Sequence, residues 1–301
     1  MNLAITGGTG FIGAHLIDAA LAAGHRVRAL TRREQPLRDD LQWISGDLAS
    51  RDSLEQLVRD ADAVIHVAGT ISAPTAAGFE QGNVAGTLAM LAAATAGGVH
   101  RFVAVSSLAA REPKLSLYGA SKAKAEELVH SSGLDWAIVR PPAVYGPGDK
   151  ETLELFRMAK LGLMLMPPKG RVSVIHAADL ARLLLALANP FAPSRCLIEP
   201  DDGKAGGWSH REFAQALAAA VGTRAAVISS PGILLRLAAR ADQLLRGEKA
   251  KLTTDRAAYF SHRNWVMEPK RAAPPELWRA QIDTIQGLAD TAAWYRDNGW
   301  L

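Results

Sequence analysis

"LAITGGTGFIGAHLIDAALAAGH", residues 3–25, sets a short apolar run against a glycine-rich turn and then an apolar pattern with helical spacing. Strand, tight turn and amphipathic helix in that order predict the opening of a βαβ unit. Gly7, Gly10 and Gly13 fall in GxxGxxG spacing. The first glycine permits the turn, the second admits a pyrophosphate to the backbone, and the third lets helix and strand pack closely. The helix N-terminus adds free N–H groups and a partial positive charge. A glycine triplet by itself is a weak signal, since a merely structural turn uses the same residues. Between the first strand and first helix of a βαβ series it points to a dinucleotide.

The series continues. Strands are predicted at 3–6, 26–31, 41–45, 63–68, 101–106 and 136–140, with helices at 11–23, 51–59, 78–96 and 118–131. Most of the strands are near-continuous hydrophobic runs, as expected for a parallel sheet covered on both faces. The fold class is therefore α/β: a doubly wound parallel sheet (Rossmann) with a smaller, mostly helical C-terminal domain. After residue 148 the rhythm changes to a helix at 151–161 and the break "MPPKG". The strand "RVSVIH" (171–176) and helix "AADLARLLLALAN" (177–189) are expected to rejoin the main sheet. The predicted organisation is 1–149 plus 172–192 as the dinucleotide-binding domain, and 150–171 plus 193–301 as a substrate-binding domain over the strand ends. Ligands of open α/β sheets bind at that edge.

Composition narrows the function classes. The 301 residues are 49% hydrophobic and 21% charged, enough apolar content for a well-filled core. The 34 basic and 30 acidic residues are scattered, without a Lys/Arg block interleaved with aromatics, so no nucleic-acid footprint is read. Cys196 is the only cysteine, which excludes an intramolecular disulfide and a cysteine-rich metal site. His66, His176 and His210 lack metal-ligand spacing, so no metal is expected, and His66 reads as a satisfied core residue. Apolar stretches such as "LGLMLMPP" (161–168) are too short to span a bilayer. An opening on "MNLAIT" leaves no room for a signal peptide, which makes a reducing cytoplasm the expected compartment. "PGILLRLAARADQLLR" (231–246) is amphipathic and reads first as a core-facing helix, then as an apolar lid or a membrane-surface helix.

Two further stretches carry chemistry. The second strand ends "ALTRREQ" (29–35), with Arg32 and Arg33 where a ribose-binding carboxylate would favour NAD(H). Guanidinium groups fork phosphate oxygens, so NADP(H) is favoured; the bland alternative is two solvated arginines. "SLYGASK" (116–122) places Tyr118 and Lys122 one helical turn apart on a shared face. Taken alone, the pair is a half-buried aromatic and a solvated lysine.

In order, "TGGTGFIG" (6–13), "GDL" (46–48), "HVAG" (66–69), "NVAGT" (83–87), "VSS" (105–107), "YGASK" (118–122), "RPPAVYGPGD" (140–149) and "VIHAADLA" (174–181) give the chain a resemblance to a known family. It resembles the extended short-chain dehydrogenase/reductases, also called NAD(P)-dependent epimerase/dehydratases. The resemblance implies coenzyme contacts at Gly7, Thr9, Gly10, Phe11, Ile12 and Gly13. It places Asp47 and Leu48 near the adenine, with Ala68, Gly69 and Pro141 towards the nicotinamide. Asn83 would sit in the helix behind the site. Ser107, with Ser106 as fallback, would hold the substrate oxygen. Tyr118 would give or take the proton, and Lys122 would bind the nicotinamide ribose. A free phenol titrates near ~10, and a neighbouring ammonium favours its anion, moving it toward working pH.

Only eleven positions separate Ser107 from Tyr118, shorter than in relatives that act on nucleotide sugars. The stretch resembles a shorter-loop branch that includes the NADPH-binding accessory subunit of respiratory complex I. The leading expectation is an NADP(H)-dependent oxidoreductase that interconverts a carbonyl and an alcohol on a small, largely apolar substrate. The alternatives are a nucleotide-sugar epimerase or dehydratase and a non-catalytic NADP(H)-binding scaffold or sensor. Family members commonly dimerise through the helices matching 78–96 and 118–131, and the resemblance carries a homodimer over to this chain.

Overall fold

The computed structural model describes residues 1–230, 237, 240, 242 and 254–301; apart from those three isolated positions, the amphipathic stretch 231–246 lies outside the described residues. The chain divides into two compact units. The first comprises Met1–Pro141, Leu180–Glu199 and Arg271–Trp278.

The first unit alternates strand and helix as the apolar runs predict. Its elements are β1 (Asn2–Thr6), α1 (Phe11–Ala22), β2 (Arg26–Thr31), β3 (Leu41–Ser45), α2 (Arg51–Val58) and β4 (Ala63–His66). There follow α3 (Ala76–Phe79), a π-helical turn (Glu80–Ala85), α4 (Gly86–Ala96), β5 (Arg101–Val105), α5 (Leu117–His130) and β6 (Asp135–Val139). With a strand at Cys196–Ile198 they make a seven-stranded sheet in which, from one edge, that strand precedes β6, β5, β4, β1, β2 and β3. Every pairing is parallel. Parallel strands need crossovers, and these helices supply them. The order reverses between β1 and β4, the switch point at which such sheets bind ligands.

Ala4, Val64, Phe102 and Ile138 from the sheet pack with Leu54, Leu57, Met90 and Val129 from the helices. Phe102 is fully buried, and deleting such a ring costs about 3–5 kcal/mol. The long helix expected over 78–96 is broken by the π-helical turn. Such turns concentrate at functional sites.

The second unit comprises Pro142–Asp179, Pro200–Lys270 and Arg279–Leu301. Its core joins Tyr145, Phe156, Met164, Phe213, Leu217, Leu288 and Tyr295. The helix His210–Ala220 opens with a capping box between Ser209 and Glu212, and Thr284–Asp297 opens on an Asp283 cap. One expectation is corrected. The end of "RVSVIH" does not rejoin the main sheet: Val174–His176 pairs with Ala143–Tyr145 inside this unit. The seventh sheet strand is Cys196–Ile198, which adds to β6. Both are three-residue strands, and periodicity does not say which edge such a strand will join.

No described helix is long and apolar enough to cross a membrane. Among the described residues, no three His, Cys, Asp or Glu side chains converge as a metal site.

Candidate active site

The glycine turn is shaped by contacts that leave no room for side chains. Gly7 has φ of +74°, and a Cβ there would lie 2.6 Å from the Ala68 backbone nitrogen, so the ends of β1 and β4 almost touch. A Cβ on Gly13 would lie 2.0 Å from the Gly7 carbonyl oxygen, which seats α1 directly on the turn. Gly10 is the N-cap of α1, in extended conformation and without a side-chain cap. The first-turn N–H groups of α1, on Phe11, Ile12 and Gly13, therefore have no side-chain acceptor from the cap. Helix N-termini with free N–H groups favour anions.

The residues expected around the adenosine stand two and three strands from β4. Arg32 and Arg33 are exposed just past β2, in a turn set by the Thr31 hydroxyl, which donates to the Arg33 carbonyl at 2.6 Å and accepts from its N–H at 3.2 Å. Neither guanidinium pairs with a carboxylate among the described residues. Asp47 is exposed past β3, with one oxygen accepting from Ala49 N–H at 2.9 Å. Leu48 packs against Gly86 of α4. At ~4.8 Å per strand the adenosine residues lie roughly 10–15 Å from the end of β4. That spread suits the length of a dinucleotide.

At the ends of β4 and β5 the structure gathers the reactive candidates. Tyr118, half-buried in the first turn of α5, shares a hydrogen bond with Ser107. Lys122 is buried and donates from Nζ to the Val105 carbonyl at 2.9 Å. A Cβ on Gly69 would lie 3.0 Å from Lys122 Nζ and 2.9 Å from Asn83 Oδ1, so the three residues enclose one spot. Asn83, on the π-helical turn, accepts from Thr70 N–H at 2.7 Å and donates to the Ser121 hydroxyl at 2.8 Å. Pro141 is buried, and its carbonyl accepts from Leu108 N–H at 3.1 Å, anchoring the turn after Ser107. Ser106 turns away, donating to Glu126 Oε1 at 2.5 Å.

The electrostatics depart from expectation in one respect. Burial raises the Tyr118 phenol above its ordinary value, with the Ser107 hydrogen bond as the opposing influence. The Lys122 ammonium, directed at the Val105 carbonyl, does not make the phenol more acidic here. Burial also lowers Lys122 to about 8, against the pull of Glu126. His66 is held neutral: burial first, then the Lys122 charge, push it down to about 3. Its Nδ1 lies 2.7 Å from Thr6 Oγ1 and its Nε2 3.2 Å from Thr87 Oγ1, the satisfied core histidine anticipated from sequence.

Sequence reasoning missed Glu126 and Arg140, which pair at 2.6 Å in the interior. The one available signal was spacing, since Glu126 stands four residues after Lys122.

The pattern of the NAD dependent epimerase/dehydratase family matches residues 3–195. A ceramide reductase of Caulobacter vibrioides is 39% identical over 308 residues, covering 99% of this chain and 96% of its own length. A 4-hydroxy-2-methyl-3-oxo-4-farnesyl-3,4-dihydroquinoline-1-oxide ketoreductase of Stigmatella aurantiaca is 35% identical over 173 residues, 50% of this chain and 52% of that one. Among solved structures, the Bordetella bronchiseptica enzyme WbmG in complex with NAD superposes with a TM-score of 0.77 at 20% identity, over 100% of this chain and 95% of that one. At that identity the likeness speaks for the fold alone. The family match over most of the chain, joined to near full-length identity with a reductase, shows that this protein belongs to the NAD dependent epimerase/dehydratase family.

Proposed function

We propose that this protein is an NADP(H)-dependent reductase that converts a ketone to an alcohol on a largely apolar, long-chain substrate. The observation that carries the reading is the Ser107–Tyr118 hydrogen bond standing beside the buried Lys122 ammonium. The full-length similarity to a ceramide reductase, and the shorter one to a farnesylated-quinoline ketoreductase, favour reduction and an apolar substrate.

The residues fit a nicotinamide dinucleotide. Gly7 and Gly13 let β1, β4 and α1 close tightly on the turn, where a Cβ would meet backbone, and the α1 N-terminus offers uncapped donors to a pyrophosphate. Arg32 and Arg33, unpaired past β2, suit a 2′-phosphate and support NADPH over NADH. Asp47, Leu48, Ala68, Gly69 and Pro141 complete the binding set in this reading. The bound coenzyme would supply the hydride.

The chain's own groups do the rest. Ser107 donates to the substrate carbonyl oxygen and so stabilises the charge that develops there. Tyr118 gives its phenolic proton to that oxygen; burial keeps the phenol protonated at neutral pH, as a donor requires. Lys122 holds the ribose hydroxyls, and the Ser107 hydrogen bond favours the phenolate left behind.

The test is consumption of NADPH, followed by its absorbance, with long-chain ketones that include a ceramide oxidised to its ketone. One NADPH consumed per alcohol formed is expected. Product without net change in NADPH would instead indicate an epimerase, and binding of NADPH without turnover of any ketone a scaffold.

A further inference from the structure

In the second unit, the strands Leu163–Met166 and Ala226–Ser229 form a two-stranded parallel sheet, with Leu163 opposite Ala226 and Leu165 opposite Ile228. Met164 and Met166 are buried in the core of that unit, and Val227 packs against it. The other face is turned outward: Leu163 is 44% exposed, Leu165 54% and Ile228 51%. Leu161, in the turn that leads into the first strand, is 84% exposed. "LMLM" (163–166) is thus apolar on both faces, whereas a strand with one solvated face ordinarily alternates apolar with polar residues. An exposed apolar face of this kind marks a place of association.

Charge decides what the face suits. Residues 155–170 and 213–230, which hold both strands and their flanks, include Arg157, Lys160, Lys169 and Arg224 but no aspartate or glutamate. Arg157 pairs with Glu154 at 3.0 Å. Lys160, Lys169 and Arg224 are exposed and make no ion pair among the described residues. Lys160 ends the helix Leu153–Lys160, next to Leu161. The chain on either side of Arg224 is tied to the same turn: the Thr223 hydroxyl donates to the Ala159 carbonyl at 2.8 Å, and Ala226 N–H donates to the Gly162 carbonyl at 2.9 Å. Lys169 follows the far end of the first strand, past Pro167 and Pro168. Cations therefore stand at both ends of an apolar face. A second copy seated there by twofold symmetry would bring the same cations together with no carboxylate in either patch to offset them. An anionic bilayer offers phosphate to the cations and hydrocarbon to the apolar side chains.

We propose that this face docks the protein on an anionic lipid bilayer, its apolar side chains entering the acyl boundary and its unpaired cations meeting the headgroups. The attachment is peripheral. It goes beyond the reductase reading and needs neither coenzyme nor substrate, although it would hold an enzyme for long-chain ketones where such molecules dissolve.

The experiment floats full-length protein, without coenzyme, on phosphatidylcholine vesicles and on vesicles of equal parts phosphatidylcholine and phosphatidylglycerol. Binding to the mixed vesicles is expected, and binding to phosphatidylcholine alone should be weaker by about tenfold or more. Leu163→Ser/Leu165→Ser/Ile228→Ser should weaken mixed-vesicle binding by about tenfold or more. Lys160→Gln/Arg224→Gln should weaken it severalfold at low salt and less at high salt, where the charges are screened. Phe191→Ser, at an exposed apolar position of the first unit, should leave it unchanged. The replaced side chains face outward, so melting temperatures should stay close to the parent's; a triple variant that unfolds would make the face part of the core and overturn the proposal. A parent that stays in solution with both kinds of vesicle would overturn it too. So would full binding in the triple variant, which would assign the attachment to another part of the chain. Sedimentation without vesicles tests the other occupant: a dimer that the triple variant dissolves, in a parent that ignores vesicles, would give the face to a second copy. Because vesicle binding is read without NADPH, failure of the reductase reading would leave this result standing.

Discussion

Lys122 donates to the Val105 carbonyl at 2.9 Å from a position only 7% exposed, so its ammonium is held inside the protein by backbone. Burial lowers it from 10.5 to about 8. Between those values the unfolded chain keeps a proton that the folded one has released, so stability rises with pH across that window. Below about 8 both states are protonated and the cost of burying the charge stands in full. The parent should therefore gain on a Lys122→Met variant as pH rises from 8 to 10, by ~2 kcal/mol. Paired thermal melts at the two pH values read the difference, and a constant gap would mean that Lys122 titrates as an ordinary lysine. The same variant should bind NADPH more weakly.

Tyr118 and the two adjacent serines separate by their partners: Ser107 bonds Tyr118, whereas Ser106 bonds Glu126. Tyr118→Phe removes the proton and should lower turnover by about 10²–10⁴ while leaving NADPH affinity within a few-fold. Ser107→Ala should lower turnover by about 10². Ser106→Ala should act on stability instead, by about 1–2 kcal/mol, because its hydroxyl serves Glu126. Steady-state kinetics beside urea melts check all three. Equal losses of turnover in both serine variants would undo the distinction between Ser106 and Ser107.

Past β2, Arg32 and Arg33 are exposed and carry no ion pair among the described residues, so their charge is available to a ligand at little desolvation cost. Replacing both by serine should weaken NADPH by about 10–100-fold and leave NADH within a few-fold, since only one coenzyme carries the 2′-phosphate. Titrations with each coenzyme measure the ratio. An unchanged ratio would return both arginines to solvated surface.

Much of this was legible before the fold was known, for identifiable reasons. The six strands from Asn2–Thr6 to Asp135–Val139 are apolar runs between clear turn residues, and the glycine spacing marks the switch point directly. Cys196–Ile198 was not legible, because three residues carry no period, and Val174–His176 was for the same reason assigned to the wrong sheet. The choice between Ser106 and Ser107 depends on which way each residue points past the end of β5, and that is set by Glu126 and Tyr118 from α5. Glu126 itself was hidden by its type, since a glutamate on an amphipathic helix ordinarily faces water. Its burial depends on Arg140, fourteen residues away.

His66 predicts an acid limb. Its neutral ring bridges Thr6 and Thr87 and is held down to about 3, so between about 6.5 and 3 the unfolded chain takes up a proton that the folded chain refuses. Stability should fall as pH drops through that range, by as much as ~4 kcal/mol from this residue. His66→Gln, unable to titrate, should lose less stability between pH 7 and 4 than the parent. Chemical denaturation at both pH values is the check, and parallel losses would place the acid sensitivity elsewhere.

Gly7 and Gly24 have nearly the same backbone, with φ of +74° and +73°, but different surroundings. A Cβ on Gly24 would meet nothing within 4 Å, whereas one on Gly7 would sit 2.6 Å from the Ala68 nitrogen. Left-handed backbone costs an alanine about 1–2 kcal/mol at either position. At Gly7 the clash is with backbone of β4's end, which no rotamer change relieves, so the two strand ends must separate. Gly24→Ala should therefore lose about 1 kcal/mol and bind NADPH normally. Gly7→Ala should lose clearly more and, on the proposed coenzyme site, bind NADPH at least tenfold more weakly, because the turn proposed to receive the pyrophosphate would have moved. If melts and NADPH titrations show the two variants to be alike, the close approach of β1 to β4 is not what shapes the coenzyme cradle.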